Sequence, residues 1–130
     1  MRERRVLIVE DDAASLRLAR DLLSLHGWAT VEARTGAEAV ELAGRWLPSV
    51  ILMDIHLPDM EGTSALSLLR DRPATQAIPV VALTASAMKG DRERFLRAGF
   101  DAYLAKPIDV ATFPGEIAAV VDGGTWEGGT

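Results

Sequence analysis

Cysteine is absent from the 130 residues. That excludes a disulfide framework, a thiolate zinc site and a cysteine nucleophile. No apolar run approaches the ~18 residues of a membrane span. The opening Met-Arg-Glu-Arg-Arg carries charges, but Val6 to Val9 is only four residues long before Glu10 and Asp11 stop it. A signal-peptide apolar region is therefore missing, and a cytoplasmic location with no membrane partner is expected. An excess of basic residues is missing too: Lys plus Arg is 14 and Asp plus Glu is 19, a formal charge of −5. Phosphate contacts dominate generic nucleic-acid affinity, so direct nucleic-acid binding is not expected. Nothing after Val121 is long enough for a helix-turn-helix, which makes a docking event, or a further domain outside this sequence, the expected output. What is present is ordinary: 48% apolar and 25% charged residues, the composition of a globular domain. A chain of this length makes about one domain with a real core, and leaves no room for a two-domain enzyme.

Short apolar runs alternate with longer helical patterns. Val6–Val9, Val50–Met53 and Val80–Leu83 are unbroken apolar stretches of strand length. Such runs suit strands buried on both faces of a parallel sheet. Ala29–Glu32 and Ala102–Leu104 are weaker strands. The first helical pattern, Ala14 to Leu25, places Leu18, Leu22 and Leu25 on one face, and Gly27 stops it. Thr35 and Glu38 have capping-box spacing, opening a helix to about Trp46 that Pro48 blocks. Thr63 to Arg70 carries Leu66 and Leu69. Met88 to Ala98 is a charged helix ended by Gly99. Pro114 suits the first turn of a last helix through Val121. Five βα units in succession argue an α/β fold with a parallel sheet and helices on both faces. The domain is read as residues 1–121. Residues 122–130 hold four glycines in nine positions and read as a flexible tail or linker stub.

In open α/β sheets, ligands bind beyond the carboxyl ends of the strands. Glu10, Asp11 and Asp12 follow the first strand, Asp54 the third, Thr84 the fourth, and Lys106 and Pro107 the fifth. Acids, a hydroxyl and an amine thus converge on one edge. Crowded carboxylates repel, and a hard divalent cation relieves the repulsion; oxygen ligands with room for water describe Mg²⁺ better than Zn²⁺. A carboxylate beside Mg²⁺ can attack phosphorus. The metal, Lys106 and Thr84 could then each neutralise one oxygen of the transferring phosphoryl group.

The stretches VLIVEDD, VILMDIHLPDMEG, VVALTA and AYLAKPI together resemble the receiver domain of two-component response regulators. The likeness covers about residues 5–121. The stretch from Ala82 to Asp109 is most similar to single-domain regulators of cell-division relays and to receivers of hybrid histidine kinases. The resemblance implies a flavodoxin-like, doubly wound, five-stranded sheet of order 2-1-3-4-5 with five helices. It implies Asp54 as phosphoacceptor, with Glu10, Asp11, Asp54 and the backbone carbonyl of His56 around Mg²⁺. Thr84 becomes the switch hydroxyl, Lys106 the phosphoryl-binding ammonium before a cis Pro107, and Tyr103 the aromatic switch residue. The implied donor is a histidine kinase or a histidine phosphotransfer protein. The implied output is a downstream docking protein, expected to read the surface made by the Met88–Ala98 helix, the fifth strand and the last helix, with Arg92 and Arg94 as candidate contacts. The only catalysis implied is the domain's own phosphotransfer and slow autodephosphorylation, so it is not an enzyme in the wider sense.

Blander readings stand beside these. Asp54 alone would read as a strand-end turn, Asp12 as a cap for the first helix, and His56 as an exposed loop imidazole. Tyr103 could pack at the sheet edge, Phe95 in the core, and Trp28 and Trp46 at element ends. A haloacid-dehalogenase-type phosphatase would want a second Asp where His56 stands. A flavin carrier would want Ser, Thr and Gly where Glu10-Asp11-Asp12 stands. A pseudo-receiver that only binds partners would not need every phosphorylation residue.

Overall fold

The computed structural model describes residues 4–85 and 90–122. Strands and helices alternate along the chain. They are β1 (Arg5–Val9), α1 (Ala13–Leu25), β2 (Ala29–Ala33), α2 (Gly36–Trp46), β3 (Val50–Asp54), α3 (Gly62–Arg70), β4 (Val80–Thr84), α4 (Asp91–Ala98), β5 (Ala102–Ala105) and α5 (Phe113–Val121). All four strand pairings are parallel, and the order across the sheet is β2-β1-β3-β4-β5. The three continuous apolar runs occupy the three interior positions, where both faces are covered. The two weaker candidates form the edges, where part of each strand meets water.

Side chains along each strand alternate between two separate cores. Leu7, Val9, Ile51, Met53, Val80 and Ala82 point into one, closed by α2, α3 and Phe95 of α4. Val6, Ile8, Val50, Leu52, Val81 and Leu83 point into the other, closed by α1, Trp28 and α5. Complete burial of a Leu or Ile side chain contributes roughly 1.5–3 kcal/mol, so these interdigitated layers carry most of the driving force. No helix among the described residues is long and apolar enough to cross a membrane.

Local chemistry sets the helix ends. Asp12 Oδ2 accepts from Ser15 N at 2.9 Å and caps α1, as that residue's cap reading anticipated. Thr35 Oγ1 accepts from Glu38 N at 3.1 Å and caps α2. The Glu38 carboxylate reaches back to Arg34 N at 2.9 Å, one residue beyond the Thr35 amide that a reciprocal capping box would use. α4 lies between Gly90 and Gly99, with φ of 92° and 114°, left-handed values that only glycine adopts without strain.

One expectation needs correction. The buried stripe of α1 is Leu16, Ala19 and Leu23, with Leu22 at its margin. Leu18 and Leu25 are 37% and 80% exposed. Both stripes have helical spacing, but small Ala19 lets the helix lie close on the sheet, and a stripe of leucines alone does not reveal that. The described part of α4 begins at Asp91; Met88 and Lys89, placed in that helix from the sequence, lie outside the described residues, as do residues 123–130.

Candidate functional site

Strand register assembles the polar cluster. Val9 of β1 is level with Met53 of β3, so the next residue on each strand, Glu10 and Asp54, emerge side by side. Asp54 is level with Leu83 of β4, and Thr84 is level with Ala105 of β5. Lys106 then follows, its amide donating to the Thr84 carbonyl at 2.8 Å. Glu10, Asp54 and Thr84 are all buried, while Asp11 lies exposed at the rim. The bond between Lys106 and Pro107 is cis.

The charges are arranged around one ammonium. Lys106 Nζ lies 2.6 Å from Glu10 Oε2 and donates to Asp54 Oδ2 at 3.0 Å. The other oxygen of each carboxylate is held by the backbone: Glu10 Oε1 accepts from Asp12 N at 3.0 Å, and Asp54 Oδ1 from His56 N at 3.1 Å. Burial pushes the Glu10 carboxyl above its usual range, against the contrary pull of Lys106 and the Asp12 amide. Burial also works to lower the Lys106 ammonium, but its contacts with Glu10 and Asp54 outweigh that and leave it above the ordinary lysine value. Lys106 is thus firmly cationic, and one positive charge faces three acids.

An oxygen from each of Glu10, Asp11 and Asp54 lies within 4.8 Å of the others. Glu10 Oε2 is buried, and the Lys106 ammonium at 2.6 Å occupies only part of its lone-pair capacity. An oxygen-only donor set with an underused buried lone pair fits a hard divalent cation and does not fit a soft one.

Sequence comparison bears on the same residues. The response regulator receiver domain family matches residues 6–118. The chain belongs to the response regulator receiver family. Among curated relatives of this receiver is the polar-differentiation response regulator DivK of Brucella ovis, 45% identical over 108 residues, 83% of this chain and 88% of that protein. Among solved structures, the receiver domain of the sensor histidine kinase PA1611 from Pseudomonas aeruginosa has a TM-score of 0.84 at 33% identity. It covers 93% of this chain and 99% of its own, and holds a magnesium ion coordinated in its active site cleft. A CheY-like receiver domain protein from Methanospirillum hungatei has a TM-score of 0.82 at 31% identity, covering 94% and 96%. As a receiver, the chain is a phosphorylation-activated signalling domain of two-component systems.

The remaining expected residues fall as follows. His56 is exposed, its Nδ1 lying 3.1 Å from Glu61 Oε2. Tyr103 on edge strand β5 is half-buried and packs on Phe95, ring centres 5.5 Å apart; burial pushes its phenol up. Phe95 itself is in the core. Arg94 lies over the Phe95 ring at 4.7 Å and pairs with Asp91 at 3.1 Å, so the receiver's α4 surface is partly tied down.

Asp59 and Met60 of the β3–α3 loop and Gly62 at the start of α3 matter to this receiver's site and were given no role in the sequence reading. A Cβ on Gly62 would lie 2.6 Å from the Asp54 carbonyl oxygen, so only glycine lets α3 start this close to Asp54. Met60 lies where a Cβ on Gly36 would fall, at 2.5 Å. Asp59 accepts from Gly36 N at 2.7 Å and Ala37 N at 3.0 Å. Pro58-Asp59 signals a turn, but the helix that Asp59 serves is 22 residues back, beyond any local motif.

Proposed function

We propose that this receiver takes a phosphoryl group from a phosphohistidine donor onto Asp54 and uses it to switch a docking surface. The observation that carries the proposal is the Lys106 ammonium 3.0 Å from Asp54 Oδ2, with the Glu10 and Asp11 carboxylates alongside. An Asp54 oxygen attacks phosphorus while the phosphorus–nitrogen bond of the donor breaks. Its electron pair returns to the imidazole, and an aspartyl phosphate forms. Water later cleaves that mixed anhydride, restoring the carboxylate and releasing phosphate. These two steps are the only catalysis assigned to the chain.

Glu10, Asp11, Asp54 and the His56 backbone carbonyl are assigned to Mg²⁺. Bound there, the ion would neutralise phosphoryl charge and draw the acids together. Lys106 loses its Asp54 Oδ2 partner as that oxygen is phosphorylated, which frees the ammonium for a phosphoryl oxygen. Thr84, buried at the end of β4, is assigned the hydroxyl that bonds a second oxygen. Tyr103, packed on Phe95, is assigned the response: its ring moves as Thr84 does, and α4, held by glycine at both ends, follows. A hydrogen bond to a charged group contributes roughly 1.5–3 kcal/mol, a ten- to hundred-fold shift between two states. The partners are a histidine kinase or phosphotransfer protein upstream and a docking protein downstream, without direct nucleic-acid or membrane binding. A cytoplasmic setting suits both.

Mass spectrometry after exposure to acetyl phosphate and Mg²⁺ tests the chemistry. One acid-labile phosphoryl group on Asp54 is expected, lost in Asp54→Asn and in EDTA. Labelling that survives either would overturn the assignment.

A further inference from the structure

The loop between β3 and α3 is pinned at both ends to the site. His56 N donates to Asp54 Oδ1 at 3.1 Å, and Gly62 N donates to the Ile55 carbonyl at 2.6 Å. Between these pins the backbone must hold its course over residues 57–61. Leu57 and Met60 give it partial apolar cover. Its polar tether to another element is Asp59, whose two carboxylate oxygens each take one amide of α2, Gly36 and Ala37.

That tether is more than a helix cap. α2 already has its own cap in Thr35, whose hydroxyl takes Glu38 N and whose carbonyl takes Ala39 N. With Asp59 on Gly36 and Ala37, the three helical amides that lack a partner within α2, Gly36, Ala37 and Glu38, are all occupied. The donors are fixed and well aligned, and a carboxylate at a helix N-terminus is favoured by the helix dipole. The amide bonds hold the Asp59 carboxylate below its ordinary range. Met60 beside Asp59 lies over Gly36, where any side chain would obstruct it. Loop and helix therefore meet as matched surfaces.

We infer that Asp59 is the positioning residue for the metal site: by anchoring the loop to the first turn of α2, it fixes the His56 backbone that faces Mg²⁺. This rests on the assignment of the His56 carbonyl to the ion. Asp59 touches neither metal nor phosphoryl group and acts only through the loop. The same tether makes α2 sense the site, because coupling between a bound ion and a distant contact is reciprocal.

The test is calorimetric titration of the whole chain with MgCl₂. Asp59→Ala should weaken Mg²⁺ binding about ten-fold, the lower range for residues that orient ligands indirectly. Asp59→Asn keeps an acceptor for one amide and should recover most of the affinity. Thr35→Ala is the control, since it loosens the same turn of α2 without touching the loop, and it should leave Mg²⁺ affinity unchanged. Asp59 is exposed, so its replacement removes nothing from the core. In the wild type, Mg²⁺ should slow hydrogen exchange at the Gly36 and Ala37 amides. Unchanged Mg²⁺ affinity in Asp59→Ala, equal weakening in Thr35→Ala, or unaltered exchange at both amides would each overturn the inference. With Mg²⁺ bound normally by the wild type, such a result leaves the phosphoacceptor proposal standing. If the wild type binds no Mg²⁺, that proposal and this inference fail together.

Discussion

Lys106→Met probes the charge balance of the site with little change in shape. The wild-type ammonium lies 2.6 Å from Glu10 Oε2 and 3.0 Å from Asp54 Oδ2. Their side chains are 1% and 7% exposed, and that of Lys106 is 17% exposed. Removing one partner of a buried ion pair costs about 3–5 kcal/mol, because the remaining charge stays buried and unpaired. The partial exposure of Lys106 argues for the low end, about 3 kcal/mol. In a domain of this size that corresponds to a Tm lowered by about 10 °C. The assay is thermal melting in EDTA near neutral pH. Glu10→Gln in the Lys106→Met background should recover more than half of the loss, and saturating Mg²⁺ should recover much of it by replacing the missing cation.

The pH dependence has a definite sign. Glu10 in the folded state is already pushed above its ordinary value of 4.5 by burial, and Lys106 is one of the groups holding it down. Without Lys106 it rises further, so the folded variant binds a proton more readily than the unfolded chain. Stability then falls as pH rises through the interval between the two values, and is regained as pH falls toward 4.5. The gap between variant and wild type should therefore narrow on mild acidification. A Tm in EDTA unchanged by Lys106→Met, or a gap that widens on acidification, would refute the reasoning.

Gly62→Ala should cost about 1–3 kcal/mol in a urea melt despite the better helix propensity of alanine, because the Asp54 carbonyl must give way. Phosphorylation of Asp54 should slow with it. Arg70→Ala removes donors to the carbonyls of Gln76, Ile78 and Gly99 and to Asp101, and should lower stability by about 2 kcal/mol by the same assay. Thr84→Ala should still be phosphorylated, but beryllofluoride should no longer change hydrogen exchange in α4. A retained response would remove Thr84 from the switch.

The polar cluster was legible because a parallel sheet brings every strand's carboxyl end to one edge. Naming the residues after each apolar run was then enough to gather Glu10, Asp11, Asp54, Thr84 and Lys106. The interior strands were readable for a related reason, since burial on both faces leaves an unbroken apolar run; their order came only from the family resemblance. The stripe of α1 was misread because Leu18, Leu22 and Leu25 share helical spacing with Leu16, Ala19 and Leu23, and burial alone separates them. Asp59 and Arg70 were missed for a different cause. One caps a helix 22 residues earlier, and the other joins α3 to the Gly99–Asp101 turn 29 to 31 residues later. Such bonds have no period and no local motif.

The sheet divides the interior into two apolar clusters that share strands but not side chains. A displacement of α4 or a rotation of Tyr103 repacks the cluster beneath α2, α3 and α4. On the proposed switch, the part of the other cluster beneath α1 can remain still while α4 moves. Substitutions on opposite faces should then combine additively, whereas pairs within the α4 face should not. Substitutions beneath α1 should therefore change stability while leaving the proposed response of α4 unaltered.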